Sequence, residues 1–166
     1  MAPRRRATYS SGRVAARSAL AAAGCLPAPI GERDGAPVPP DGWRLSISHT
    51  DEIAVAVACR AGEAAGIGVD IEAIARMDPA LRPYVVRAGD RCPADVGAEA
   101  LTRGFALREA VFKALGPSEQ KGGRILLNWT DEGAVEARIS QRQTARLDQN
   151  VAVVGGYVLA VCLRRA

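Results

Sequence analysis

The chain has 166 residues, with 22 basic side chains, 18 acidic side chains and one histidine, so its formal net charge is +4. This length suits one domain or two small lobes that share a core, and 48% hydrophobic with 24% charged residues excludes general disorder. Apolar runs such as residues 53–59 are much shorter than the roughly 20 residues that cross a bilayer, and Arg13 and Arg17 interrupt the segment where a secretory signal would need an apolar core. We therefore expect a cytosolic protein with no membrane partner.

The excess positive charge lies mainly at the N-terminus, where Arg4, Arg5 and Arg6 account for three of the four net charges. A nucleic-acid-binding protein is one interpretation of this tail. The chain carries no recognition motif and only seven aromatic residues for stacking on bases, which argues against that interpretation. The four cysteines are scattered and form no CxxC pair, so zinc-ribbon and thioredoxin-type sites have no support either.

The N-terminal part of the chain predicts one helix followed by strands. We expect residues 1–10 to form a ragged tail and residues 11–23 to form a helix, with Ser10 or Ser11 as its cap and Gly24 as its end. The other predicted elements of this part are a Pro- and Gly-rich loop over residues 27–42, strands over residues 43–48, 53–59 and 66–72, and a hairpin loop over residues 60–65.

The C-terminal part predicts one long helix and two hairpins. The helix covers residues 98–115, a Gly-Pro pair ends it, and its apolar stripe consists of Leu101, Phe105, Phe112 and Leu115. The other predicted elements are an irregular segment over residues 73–97, strands over residues 124–129 and 134–139, and a closing hairpin of residues 151–154 and 157–163. The pattern as a whole predicts an α+β fold.

Two acidic residues alternate with apolar ones in the predicted strand over residues 66–72. Because side chains alternate faces, Asp70 and Glu72 point the same way, about 7 Å apart along the strand. Such a pair could hold a hard cation. The alternative is a strand with one wet face, on which both acids are simply solvated.

A second column of side chains lies on the predicted helix, where Phe105, Glu109 and Lys113 follow at intervals of four. The alternative to a functional role is a surface Glu–Lys pair, which contributes about 0.2–0.5 kcal/mol to helix stability. Phe105 in the same column instead indicates that this side faces inward. A Glu and a Lys at the edge of a core would then need partners.

Three basic residues of the N-terminal part are candidate phosphate ligands. His49, the only histidine, lies at a strand end beside hydroxyl side chains, and Arg13 and Arg17 are one helical turn apart. The alternatives are a structural histidine and a solvated helix face.

The three carboxylates of the predicted strand and helix suit Mg²⁺, which usually takes one or two protein carboxylates, waters and substrate phosphate oxygens. The basic residues suit phosphates. Together they predict chemistry on a pyrophosphate.

The segments that carry these residues resemble the signature motifs of the 4′-phosphopantetheinyl transferases. Gly-Val-Asp-Ile-Glu over residues 68–72 and Phe-Ala-Leu-Arg-Glu-Ala-Val-Phe-Lys over residues 105–113 are similar to the two main motifs. Ser-Ile-Ser-His-Thr over residues 46–50, and the segments over residues 12–20 and 35–37, are similar to the Sfp and enterobactin-synthetase type. The resemblance runs from about Gly12 to Leu163.

The resemblance implies an activity and a partner. Such enzymes transfer the phosphopantetheine arm of coenzyme A to a serine of an acyl or peptidyl carrier protein and release adenosine 3′,5′-bisphosphate. They serve carriers of pathways such as polyketide and nonribosomal peptide synthesis. Carrier proteins are typically acidic around their serine, which fits a mildly basic enzyme. The resemblance leaves open whether the chain is a monomer or a homodimer.

The resemblance also implies roles for residues of this chain. Asp70, Glu72 and Glu109 would ligate Mg²⁺ on the pyrophosphate, Glu109 would also be the general base, and Lys113 would stabilise the leaving phosphate. The expected phosphate contacts are Ser48, His49, Arg13, Arg17 and Arg108, the last in place of the family's usual lysine.

The implied fold is two similar α/β lobes related by pseudo-twofold symmetry, over residues 1–65 and 66–166, with coenzyme A in the cleft.

The chain departs from the family's usual pattern in three ways. The first lobe is shorter than is usual in the family. Ala36 stands where relatives often have a lysine, and Phe105 where many have tryptophan. The alternative function is therefore an impaired relative that binds coenzyme A or a carrier domain without transferring anything.

Overall fold

The computed structural model describes residues 3–33, 35–119, 124–130, 133–140 and 146–165. The first half of the chain forms, in order, α1 (Pro3–Ala22), β1 (Gly31–Arg33), β2 (Ala36–Val38), β3 (Trp43–His49) and β4 (Ala54–Arg60). The second half forms β5 (Gly66–Ala73), two 3-10 turns (Ile74–Arg76 and Pro79–Leu81), α2 (Arg82–Val85), α3 (Ala98–Glu119), β6 (Arg124–Trp129), β7 (Val135–Ser140), β8 (Leu147–Val154) and β9 (Tyr157–Arg164).

Helix α1 begins at Pro3, so the predicted tail over residues 1–10 is wrong from residue 3 onward, and neither Ser10 nor Ser11 is the cap. Arginine and alanine are strong helix formers, and proline is tolerated in a first turn, so the helix extends through the basic segment. The predicted end is confirmed, because Gly24 has a φ of 88° just beyond the last helical residue.

The N-terminal elements pack one helix on an antiparallel strand pair. β3 and β4 pair in register from Trp43 with Arg60 to His49 with Ala54, and α1 covers them with a small core around Ala16, Leu20 and Leu45. The segment predicted as a loop also contains the short hairpin of β1 and β2, which the sequence analysis missed.

The C-terminal elements form a three-stranded sheet in the order β5-β9-β8, with α3 packed on it. The expected hairpin between the strands over residues 53–59 and 66–72 is wrong, because β5 pairs with β9 and not with β4. Hydrophobic alternation predicts a strand but does not specify its partner. The closing hairpin turns at Gly155 and Gly156 as predicted, with β8 beginning four residues earlier than expected.

Helix α3 is regular as far as Leu115 and is interrupted at Gly116, whose φ is 72°, as the sequence predicts. Its predicted apolar stripe is partly wrong, because the side chain of Phe112 is 44% exposed and Phe105 is half-buried. The buried face also contains small residues and consists of Leu101, Ala106, Leu107, Ala110, Val111, Ala114 and Leu115.

The small residues of α3 match two glycines of β5. A Cβ on Gly68 would lie 1.9 Å from the carbonyl oxygen of Ala110, and a Cβ on Gly66 would lie 1.8 Å from that of Ala114. Strand and helix backbones therefore approach so closely that only glycine fits on the strand. This contact fixes the strand that carries Asp70 and Glu72 against the helix that carries Glu109.

The predicted α+β class is confirmed, since helices pack on antiparallel sheets in both halves of the chain. Within the described ranges, none of the helices combines the length and the hydropathy that a membrane span requires. The cytosolic location stays a prediction.

We expect Gly68→Ala to lower the free energy of unfolding by about 3 kcal/mol or more, because its methyl group would collide with backbone that cannot rotate away. Gly62→Ala is the matched control, since a Cβ there meets nothing within 4 Å. We expect the control to change stability by less than about 0.5 kcal/mol. Urea unfolding followed by circular dichroism measures both, and equal effects would contradict the close helix–strand contact.

Candidate functional site

The strand β5 is joined to β3 by two serine side chains. Ser46 and Ser48 lie two residues apart on β3, so both point toward β5, and both are buried. The N–H of Val69 donates to Ser46 Oγ at 3.1 Å, and the N–H of Ile71 donates to Ser48 Oγ at 3.4 Å. The two halves of the chain are thus connected beside the acidic residues.

Asp70 lies at the centre of this junction and is only 4% exposed. Its Oδ1 accepts hydrogen bonds from the Ser48 hydroxyl at 2.7 Å and from Lys113 Nζ at 2.6 Å. Lys113 also donates to the carbonyl oxygen of Val69 at 3.0 Å. Among the described residues, Asp70 Oδ2 is buried without a hydrogen-bond partner. The alternative in which both acids of β5 are solvated is therefore wrong for Asp70.

Lys113 and Glu109 do not behave as a simple surface pair. Lys113 reaches from α3 across to β5 and binds Asp70, so this side of the helix faces the sheet, as the position of Phe105 indicates. Glu109 is half-buried one turn earlier on the same helix. The predicted inward orientation of this column is confirmed for Lys113.

Glu72 and Glu109 are electrostatically coupled to Asp70. Burial and the negative charge of Asp70 raise the pKa of Glu72 to about 7, and the same two causes raise the pKa of Glu109. The charge of Lys113 acts in the opposite direction on both glutamates. Burial and the charge of Asp70 thus outweigh the neighbouring cations at both glutamates, and a further cation bound here would lower both pKa values. In the part of the chain that the structure describes, no three His, Cys, Asp or Glu side chains converge closely enough to enclose a metal ion.

His49 is exposed at the end of β3, next to this cluster in sequence. The turn that follows it is tied to the second half of the chain by two contacts, Arg76 with Asp51 and the Tyr157 hydroxyl with Glu52. The sequence analysis missed both contacts. No sequence signal could have found the second one, because its residues are 105 positions apart.

Arg13 and Arg17, which lie one helical turn apart on α1, are in different environments. Arg13 is buried and donates to the carbonyl oxygens of Ile30 and Gly31 at 3.1 and 2.8 Å, and it pairs with Glu32 at 3.3 Å. Arg17 is exposed on the same helix. The structure thus gives Arg13 a role in holding the loop after α1, and a phosphate contact for either arginine stays a prediction.

Arg108 is directed into the protein interior and is 3% exposed. Its guanidinium pairs with the fully buried carboxylate of Asp90 and donates to the carbonyl oxygen of Ile125 at 2.6 Å. Asp90 also accepts from the N–H of Leu127 at 2.8 Å. This network joins α3 to β6 and to the segment before α3. Asp90 was missed by the sequence analysis, and a phosphate contact for Arg108 stays a prediction.

Two family models match the chain. A model described as the 4′-phosphopantetheinyl transferase superfamily matches residues 66–162, more than half of the chain, and a model described as the 4′-phosphopantetheinyl transferase N-terminal domain matches residues 1–59. The chain is also similar to the 4′-phosphopantetheinyl transferase Svp of Streptomyces mobaraensis, with 34% identity over 125 residues. That match covers 69% of this chain and 50% of the relative, so the chain spans about half the length of this curated relative.

Among solved structures, the chain is similar to a holo-(acyl-carrier-protein) synthase from Bacillus anthracis in complex with CoA (3′,5′-ADP). The identity is 20%, the match covers 61% of this chain and 96% of that one, and the TM-score is 0.44. For the holo-[acyl-carrier-protein] synthase of Helicobacter pylori in complex with coenzyme A, the identity is 20%, the coverage is 59% and 98%, and the TM-score is 0.42.

The raised pKa of Glu72 predicts a pH-dependent stability. The pKa of Glu72 rises from an ordinary value of 4.5 to about 7 in the folded state. Between these two pH values, the folded protein retains a proton that the unfolded chain has released. The free energy of unfolding therefore falls as the pH rises through this window. Without added divalent cations, we expect Glu72→Gln to reduce this slope and to raise stability above about pH 7 by about 2 kcal/mol.

Urea unfolding at about pH 5 and about pH 8 measures the effect of Glu72→Gln on either side of the window. The matched control is Glu136→Gln, an exposed glutamate on β7. A slope that is the same in wild type and in Glu72→Gln would show that the pKa of Glu72 is not raised in the folded protein.

We expect Arg108→Met to lower the free energy of unfolding by about 3–5 kcal/mol, because it leaves the buried Asp90 carboxylate without its cation. Arg103→Met is the matched control on the same helix, where the partner Glu99 is half exposed. The control should cost about 0–1 kcal/mol. Chemical denaturation of both variants checks this, and equal losses would contradict a structural role for Arg108.

Proposed function

Since the chain belongs to the 4′-phosphopantetheinyl transferase superfamily, we propose that it transfers the 4′-phosphopantetheine arm of coenzyme A to a serine of an apo acyl or peptidyl carrier protein. The observation that carries the proposal is the buried Asp70 beside Glu72, Glu109 and Lys113, because only one of its two oxygens has a hydrogen-bond partner among the described residues. Two lobes over residues 1–65 and 66–166 are part of the proposal, and the two matched models divide the chain near this point.

The proposed reaction is a displacement at phosphorus. The carrier serine oxygen forms a new bond to the phosphorus next to the pantetheine arm, and the bond from that phosphorus to the bridging oxygen of the pyrophosphate breaks. Adenosine 3′,5′-bisphosphate leaves with the bridging oxygen. The serine proton must go to a base, and the charge that builds on the leaving phosphate must be balanced by cations.

The residues of the cluster fit Mg²⁺. Asp70 Oδ2 is a buried carboxylate oxygen without a partner among the described residues, and the pKa values of Glu72 and Glu109 are raised in part by its charge. A hard cation with oxygen ligands would relieve both features. Mg²⁺ is commonly held by one or two carboxylates together with water and phosphate oxygens, so the protein need not enclose it. Asp70, Glu72 and Glu109 would hold the ion, one or two of them directly and the rest through water, and the ion would neutralise charge on the pyrophosphate.

Glu109 is the proposed general base, directly or through a water. Burial and the nearby Asp70 raise its pKa from the ordinary value of a glutamate, which is the direction that a base working near neutral pH needs. Its position on α3 is fixed by the close packing of that helix on β5. Glu109 would therefore accept the proton of the carrier serine.

Lys113 is the proposed cation for the leaving phosphate. An ammonium group has three N–H donors, and two of those on Lys113 go to Asp70 Oδ1 and the Val69 carbonyl oxygen. The third would contact the pyrophosphate, where it would stabilise the leaving oxygen.

His49 is exposed and is next to Ser48 of the cluster in sequence, and it would bind a phosphate of the nucleotide. Arg17 is exposed and would add positive charge on the same half of the chain.

The activity is tested by intact mass spectrometry of apo carrier proteins incubated with this protein, coenzyme A and Mg²⁺. We expect a gain equal to one phosphopantetheine arm, and we expect Glu109→Gln to slow the transfer by about 10²–10⁴-fold because the base is lost. Glu99→Gln, on the exposed side of the same helix, is the matched control and should react like wild type.

No gain with carriers from fatty-acid, polyketide and nonribosomal-peptide pathways would overturn the proposed transfer. Calorimetry with coenzyme A would then decide whether the chain is a relative that binds without reacting. Full activity of Glu109→Gln alongside an active wild type would instead remove Glu109 from the role of base.

A further inference from the structure

We propose that Ser48 is a positioning residue for Asp70, and that its hydroxyl holds Oδ1 so that Oδ2 is presented to a divalent cation. This inference rests on the proposed function, since it concerns the cation of the same site. It also changes the role expected for Ser48 from the sequence, which was a direct contact with a phosphate of coenzyme A.

The direction of the hydrogen bonds at Ser48 follows from the groups involved. The N–H of Ile71 can only donate, so Ser48 Oγ accepts that bond at 3.4 Å. A hydroxyl has a single proton, and Asp70 Oδ1 accepts from Ser48, so that proton lies on the 2.7 Å bond to Oδ1. The serine is thereby fixed between the backbone of β5 and the side chain that it orients.

The two oxygens of Asp70 are unequally satisfied. Oδ1 accepts from Ser48 and from Lys113, whereas Oδ2 is buried with no partner among the described residues. An unpaired oxygen on a carboxylate that is 4% exposed carries a large desolvation cost. A divalent cation at Oδ2 would offset this cost, and the two donors on Oδ1 leave Oδ2 as the ligand atom.

The same geometry disfavours a phosphate contact for Ser48. A phosphate oxygen would have to compete with Asp70 for the single hydroxyl proton, and it would be repelled by a carboxylate oxygen 2.7 Å from Ser48 Oγ. His49 follows on the opposite face of β3 and is exposed, so it is the better candidate for that contact.

Ser46 provides a matched control on the same strand. It is 5% exposed, compared with 8% for Ser48, and it accepts a backbone N–H of β5 at 3.1 Å in the same way. The bonds described for Ser46 do not involve Asp70. Ser46→Ala and Ser48→Ala therefore remove the same kind of link between the strands, and only Ser48→Ala removes a donor from Asp70.

The test measures Mn²⁺ affinity for the protein–coenzyme A complex by electron paramagnetic resonance, with coenzyme A alone as the blank. We expect Ser48→Ala to weaken Mn²⁺ binding by about 10–100-fold, as loss of a residue that orients a metal ligand does. Ser46→Ala should stay within about threefold of wild type, and Ser48→Thr, which keeps the hydroxyl, should bind like wild type. Equal Mn²⁺ affinities in Ser48→Ala and Ser46→Ala would overturn the proposal.

Two further outcomes are decisive. If Ser48→Ala fails to fold by circular dichroism, Ser48→Cys, which replaces the hydroxyl by a weakly donating thiol of similar shape, should show the same loss of Mn²⁺ affinity. If the wild-type complex binds no Mn²⁺, Asp70 is not a metal ligand and the proposal fails. A wild type that binds no coenzyme A and modifies no carrier is a different result, because it overturns the proposed function itself.

Discussion

A buried carboxylate, one oxygen of which has no hydrogen-bond partner among the described residues, is the constraint on which the rest of this structure depends. Asp70 is removed from water, so every group around it must offset the cost of its charge. Two elements supply those groups to Asp70 on β5: β3 contributes Ser48 and α3 contributes Lys113. The strands and the helix must therefore be held together closely, and Oδ2, which none of these groups contacts, is the atom that we propose binds a divalent cation.

The fold meets this constraint with two close approaches. Gly66 and Gly68 bring β5 against the backbone of α3, and Ser46 and Ser48 join β5 to β3 through side-chain hydroxyls. Both contacts are made on the strand that carries Asp70, so the position of the acidic cluster follows from backbone packing as much as from its own side chains. A separate buried pair, Arg108 with Asp90, fixes the other side of α3.

Much of this site could be predicted from sequence, because period-two alternation and helical spacing are local. These patterns predict the shared face of Asp70 and Glu72 and the inward column of Glu109 and Lys113. The Gly-Pro pair predicts the interruption of α3 at Gly116. What the sequence analysis missed is non-local or energetic: the pairing of β5 with β9, and the partners of Arg108. The helical pattern alone does not show whether an arginine is buried or exposed. Only the packed structure distinguishes the two cases.

The proposed function requires that the acidic cluster binds a divalent cation together with coenzyme A. Calorimetric titration of coenzyme A, with and without Mg²⁺, tests it most directly in wild type and in Asp70→Asn. We expect Mg²⁺ to strengthen coenzyme A binding by wild type, and we expect this gain to be lost in Asp70→Asn. An affinity for coenzyme A that Mg²⁺ leaves unchanged in wild type, or a gain that survives in Asp70→Asn, would contradict it.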